Sequence, residues 1–252
     1  TEASKQLPEI LFITSYPPRE CGIATYSQDL IKAINTKYNH CIKISICPIE
    51  SDNEQYIYNE PVKYVLNVDE PSSFVKLVKN INENINIEAV MIQHEFGFYE
   101  NSQYEFTLFL ETLSKPLIMV FHTVLPHPND DLRLKVQLIS RNAESIIVMT
   151  NTSAQILIKE YGVLEEKITV IQHGTHLVPH IDKNLLKEKY GMQGRLVLST
   201  FGLLSSGKSI ETTLLAMPQI IAQNPEVLFL IIGKTHPSVL KTEGEKYRRS
   251  LE

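Results

Sequence analysis

Little in this sequence is reserved for special chemistry. Cysteine is scarce: Cys21, Cys41 and Cys47 are the only three in 252 residues. Their number and spacing exclude a disulfide framework and a zinc-type pairing, and they read as free thiols in a reducing compartment. Clustered positive charge is absent as well. With 24 Lys and Arg against 29 Asp and Glu, the net charge is −5, which leaves no electrostatic footprint for nucleic acid. Apolar runs stop at about seven residues, far short of the ~20 a membrane helix needs. The first residues contain no apolar stretch of the signal-peptide kind. The expectation is a soluble, cytoplasmic protein with no membrane span. Internal repeats and low-complexity tracts are also missing.

What is present is ordinary globular material, 43% apolar and 21% charged, enough for a sizeable core. Short apolar runs alternate with helix-period segments. Strands are expected at Glu9–Thr14, Cys41–Cys47, Val62–Leu66, Ala89–Gln93, Leu117–Phe121, Ser145–Met149 and Ile168–Ile171. Helices are expected at Ala24–Ile34, Phe74–Ile81, Tyr104–Leu113, Asp131–Ile139 and Ala154–Tyr161, with Asn101 and Asn151 as N-caps and Gly162 as a helix stop. This alternation predicts an α/β, doubly wound, Rossmann-like domain with a parallel sheet, and ligands at the carboxyl ends of its strands. Residues 174–194, rich in Gly, Pro and charge around one helical stretch at Lys183–Lys189, read as a linker between a domain at 1–173 and the beginning of a second Rossmann-like domain at 195–252. There a strand at Leu196–Phe201, a helix at Ile210–Ile221 bent by Pro218, a strand at Leu228–Ile232 and a last helix from Ser238 to Glu252 are expected. Two strands are too few for a complete open sheet, so this second domain reads as incomplete.

Five segments carry chemistry. Gly202-Leu203-Leu204-Ser205-Ser206-Gly207-Lys208-Ser209 spells the phosphate-loop pattern G-x-x-x-x-G-K-[ST]. A nucleoside-triphosphatase also needs a later strand ending in Asp to hold magnesium. The next strand ends in Gly233, which weighs against that reading while leaving a helix start and a lysine suited to a diphosphate. Tyr16-Pro17-Pro18-Arg19-Glu20-Cys21-Gly22 follows the first strand, and Gly22 admits close backbone approach at a second helix start. Gln93-His94-Glu95 and Phe121-His122-Thr123 end two further strands, where a histidine or carboxylate can bind hydroxyls or move protons. His173-Gly174 ends the last strand of the first domain, and His236 follows a strand of the second. His173, His176 and His180 have helical spacing, but Gly174 and Pro179 break a helix there, and no metal site is expected.

In this order the segments resemble a retaining glycosyltransferase of family 4, with the GT-B arrangement of two Rossmann-like domains. The stretch from Gly202 onward is similar to a bacterial, mannosyltransferase-like subgroup. The resemblance implies His122 and Lys208 as catalytic groups, and a donor site of Gly22, Lys208, Ser209 and His236. Tyr16, Arg19, His94, Glu95 and His173 would then form the acceptor side of the crevice. It further implies a nucleotide-sugar donor with GDP-mannose ahead of UDP-sugars, a glycan or lipid-linked acceptor, and neither cofactor nor metal. Two departures stand out. The family's arginine five positions before the lysine falls on Leu203, and the glycine after the lysine is Ser209. The family's glutamate pair would lie beyond residue 252, so the chain is expected to be a fragment with little transfer activity alone. A phosphate-loop kinase or hydrolase, and a non-catalytic carbohydrate-binding module, remain as alternatives.

Overall fold

The computed structural model describes residues 7–38, 41–59 and 62–252. The chain divides into two compact units, 1–174 and 175–252.

The first unit alternates strand and helix: β1 (Glu9–Thr14), α1 (Gly22–Tyr38), β2 (Lys43–Glu50), β3 (Leu66–Asn67), α2 (Pro71–Glu83), β4 (Ile87–His94), α3 (Gln103–Thr112), β5 (Leu117–Phe121), α4 (Asp130–Asn142), β6 (Ser145–Val148), α5 (Asn151–Tyr161) and β7 (Ile168–Val170). The seven strands form one sheet in the order β3-β2-β1-β4-β5-β6-β7, and every pairing is parallel. This is the doubly wound sheet that the alternation predicts. The chain proceeds from β1 towards one edge and from β4 towards the other, so the direction reverses between β1 and β4. A crevice opens at the carboxyl ends of strands at such a point.

Period-two alternation sorts the core onto two faces. Leu11 and Ile13 of β1 join Phe74, Leu77, Phe106, Phe109, Val136, Ile139 and Leu157 from α2 to α5. Phe12 points the other way, to Tyr16 and Ile31 of the α1 side.

Several boundaries differ from expectation for physical reasons. β2 runs past Pro48 to Glu50 instead of ending at Cys47. The carbonyls of Ile46 and Glu50 accept from Lys63 and Val68 on the β3 side, and Pro48, in phase with them, lacks its donor only towards that short edge strand. β3 itself has two residues instead of the expected Val62–Leu66. Ser102, not Asn101, precedes α3, without a side-chain cap. Thr150, not Asn151, caps α5, its hydroxyl accepting from the Ser153 amide at 2.9 Å. Gly162 does stop α5, in the left-handed region at φ 70° that suits glycine.

The second unit contains α6 (Lys183–Lys189), β8 (Leu196–Phe201), α7 (Ile210–Gln223), β9 (Val227–Ile232), α8 (Pro237–Glu243) and α9 (Lys246–Ser250). β8 and β9 pair in parallel as a two-stranded sheet. α7 continues through Pro218. The single last helix expected from Ser238 is broken in two at Gly244, which has φ 62°.

Candidate functional site

The exit from β1 builds an open helix start. Thr14 and Ser27 share a hydrogen bond of 2.6 Å between their hydroxyls, which pins the strand end to α1. The sulfur of Cys21 accepts the Ala24 amide at 3.3 Å and lies 3.0 Å from the Ser15 hydroxyl. A sulfur thus takes the place of an oxygen cap. The amides of Gly22 and Ile23, the first two of the helix, have no acceptor within it. A Cβ at Gly22 would meet nothing within 4 Å, so a ligand can approach this backbone. Tyr16 is buried on the α1 side of the sheet with Phe12, Ile31 and Ile46. Arg19 pairs with Glu54 at 2.9 Å and lies over the Phe98 ring at 5.2 Å.

A second group forms where β4 and β5 end. The Nε2 of His122 lies 2.7 Å from Oε1 of Gln93, which is fully buried. The Tyr26 ring, one turn into α1, meets His122 edge-on at 5.0 Å and His173 at 4.9 Å. Burial, with a smaller contribution from His173, lowers the His122 pKa to about 4, so its ring is neutral at pH 7. Burial raises the Tyr26 pKa. His173 is exposed and its Nδ1 lies 2.9 Å from the Gly174 carbonyl oxygen. The structure therefore brings His122 and His173 together, and it adds Gln93 and Tyr26, which no residue-by-residue reading singled out.

His94 does not belong with them. It is 2% exposed, between the rings of Phe96, Tyr99, Phe106 and Phe121. Burial, then the neighbouring His122, lowers its pKa to about 3. His94 pairs in register with Phe121 inside the ladder, whereas His122 lies one residue beyond it. As an acceptor-crevice residue it is corrected to a core histidine. Glu95 next to it shapes the backbone. It accepts from the Phe96 amide, capping a short 3-10 turn, and from the Thr123 hydroxyl.

In the second unit, the phosphate-loop spelling folds as a 3-10 turn at Ser206–Lys208 followed by Ser209 at φ 47°. Lys208 is exposed at this turn. The start of α7 is already occupied. The Ile210 amide donates to the Tyr247 hydroxyl at 3.2 Å, and that hydroxyl donates to Glu211 at 2.7 Å. A carboxylate and a phenol stand where the helix dipole would favour an anion. His236 uses its Nδ1 to cap α8, accepting from the Ser238 amide at 3.2 Å. Beneath the loop the backbones of Gly202 and Gly233 are in close contact: a Cβ at Gly233 would fall 1.8 Å from the Gly202 carbonyl oxygen. Among the described residues, no group of three His, Cys, Asp or Glu is gathered in metal-binding geometry. No helix among them is long and apolar enough to cross a membrane.

Solved structures similar to this chain include glycosyltransferases. A glycosyltransferase from Rickettsia africae ESF-5 superimposes with a TM-score of 0.54 at 15% identity, covering 95% of this chain and 71% of its own. An alpha,alpha-trehalose-phosphate synthase (UDP-forming) from Burkholderia vietnamiensis gives 0.54 at 12% identity over 98% and 68%. An alpha-glucosyltransferase in complex with UDP and a 13-mer DNA gives 0.53 at 11% identity over 93% and 69%. The fold is that of the GT-B glycosyltransferases. Another structure of the alpha-glucosyltransferase, at a TM-score of 0.50, is spanned over only 59% of its length. No family model matches the sequence, and no curated protein matches it at a significant level. Gly22, His122 and His173 follow strand ends around the switch point of the first unit, the place where doubly wound sheets in general open to ligands.

Proposed function

We propose that the protein transfers a sugar from a nucleotide-sugar donor to a hydroxyl acceptor, with GDP-mannose ahead of UDP-sugars as donor and with retention at the anomeric carbon. The observation that carries this reading is a fold shared with solved glycosyltransferases over nearly the whole chain, together with a neutral histidine just past the ladder at the switch-point crevice. His122 holds Gln93 through Nε2, which leaves Nδ1 to accept a hydroxyl of the transferred sugar. The amides of Gly22 and Ile23 supply partial positive charge to a phosphate. Lys208 neutralises the departing diphosphate, whose charge develops as the sugar bond breaks. No metal or cofactor enters this scheme.

A second reading, a carbohydrate-binding module that transfers nothing, draws support from Glu211 and Tyr247 at the α7 start. There the carboxylate opposes a diphosphate unless the pair moves aside. A thermal-shift panel separates the readings: GDP, UDP, ADP, ATP, sugar nucleotides and free sugars against the whole chain. A ligand at 100 times its dissociation constant adds about 2.7 kcal/mol, enough to be read as a shift. Transfer predicts a response to a nucleoside diphosphate or its sugar conjugate without magnesium. A response to sugars alone supports the binding module. One to magnesium-ATP alone overturns both in favour of a phosphate-loop enzyme.

A further inference from the structure

On the β2 and β3 side of the switch point, away from His122, the first unit has a pocket of about 220 Å³. Its walls come from four strand-end segments: Arg19 after β1, Glu50 and Asn53 at the end of β2, Asp69 after β3, and Phe98 with Glu100 after β4. None of Glu50, Asn53, Asp69 or Glu100 takes part in the His122 group.

The polar lining has one dominant sign. Glu50, Asp69 and Glu100 bring three carboxylates to the pocket, and the one cation among the lining residues, Arg19, is already paired with Glu54. Both hydrogen bonds to Glu50, from the Tyr56 amide at 3.0 Å and the Tyr58 hydroxyl at 2.8 Å, fall on Oε1, leaving Oε2 as an acceptor. Asp69 receives the Asp52 amide on Oδ2 alone. Ser102 also lines the pocket, is 4% exposed, and its buried hydroxyl has no partner. A buried polar group left unmatched at a pocket wall is the kind of site a ligand completes. Such a lining asks for donors and repels anions: hydroxyls donating to carboxylates form charge-assisted hydrogen bonds, and an acidic ligand meets like charge. Pockets for drug-sized ligands run from about 300 Å³ upward, so this one admits a single ring.

We propose that this pocket holds the ring of the sugar acceptor, and that this ring carries hydroxyl or amino groups but no acidic group. The acceptor role rests on the transferase reading above; the binding chemistry rests on the pocket itself. The test is a ¹H–¹⁵N NMR titration of the whole chain with D-glucose, D-glucosamine, D-glucuronate and D-glucose 6-phosphate, with GDP and UDP titrated in parallel. Glucosamine and glucose should move the amides of Asn53, Asp69 and Glu100, with both acidic sugars at least tenfold weaker. In the double variant Asp69→Asn, Glu100→Gln the difference between glucosamine and glucuronate should shrink at least threefold. Both changes are isosteric and the residues are exposed, so an unchanged melting temperature confirms an intact fold. Equal or tighter binding of acidic sugars, shifts confined to other residues, or no sugar binding at all would overturn the proposal. Nucleotide binding without sugar binding would sink the pocket and leave the transferase reading standing. Sugar binding here without any nucleotide binding would keep the binding site and remove its acceptor role.

Discussion

The two units answer the same strand–helix pattern with different amounts of cover. In the first, the strands of a seven-membered sheet are packed by helices on both faces, and β5 ends in Phe121 at 2% exposure. In the second, β8 contains no buried residue, and its terminal Phe201 is 85% exposed. Its buried apolar residues are few: Leu204, Ile210, Met217 and Val227. Local sequence decides that a strand forms, but its neighbours decide what burying its side chains is worth.

The widest gap should separate the two strand-end phenylalanines. Phe121→Ala should cost about 3–5 kcal/mol, the usual range for an emptied aromatic site, whereas Phe201→Ala should stay within about 0.5 kcal/mol. Urea unfolding of both variants reads this directly, and equal losses would break the contrast. Next comes Gly233, where the second unit is tightly built despite its thin core. A methyl group there cannot coexist with the Gly202 carbonyl, and φ is 154°, so Gly233→Ala should cost on the order of 3 kcal/mol. Loss of less than about 0.5 kcal/mol would mean the two backbones separate easily.

A pH dependence should also arise from the two buried histidines of the first unit. His94 and His122 have native pKa values below the ordinary 6.5, at about 3 and about 4. The unfolded chain therefore binds more protons, and stability falls as pH drops below 6.5 towards the native values. The fully buried His94 alone should give a slope of about 1.4 kcal/mol per pH unit between pH 6 and 4. His94→Phe should flatten that portion of the curve, and a curve unchanged by the substitution would refute the assignment.

Element types and the parallel sheet were legible because period-two and helix-period patterns are strong over five or more residues. Gly162 was readable as a stop because a left-handed position favours glycine. Pro48 concealed the end of β2, since its missing donor is harmless only when a short edge strand lies beside it. His94 and His122 look alike in sequence, each at the end of an apolar run. One residue of ladder register separates a core ring from a crevice ring, and register is a tertiary property. Gln93, Tyr26 and the Tyr247–Glu211 pair depend on side chains that meet from distant parts of the chain, and no local pattern codes for such meetings.

The proposed donor site stands or falls on Lys208 neutralising a nucleoside diphosphate, with Tyr247 and Glu211 at the α7 start opposing it. Calorimetric titration of GDP and UDP into the native chain, Lys208→Ala and Tyr247→Phe tests it most directly. Affinity should fall at least tenfold in Lys208→Ala and rise in Tyr247→Phe, which frees the Ile210 amide and releases Glu211. Identical affinities in all three proteins, or no diphosphate binding to any, would contradict it.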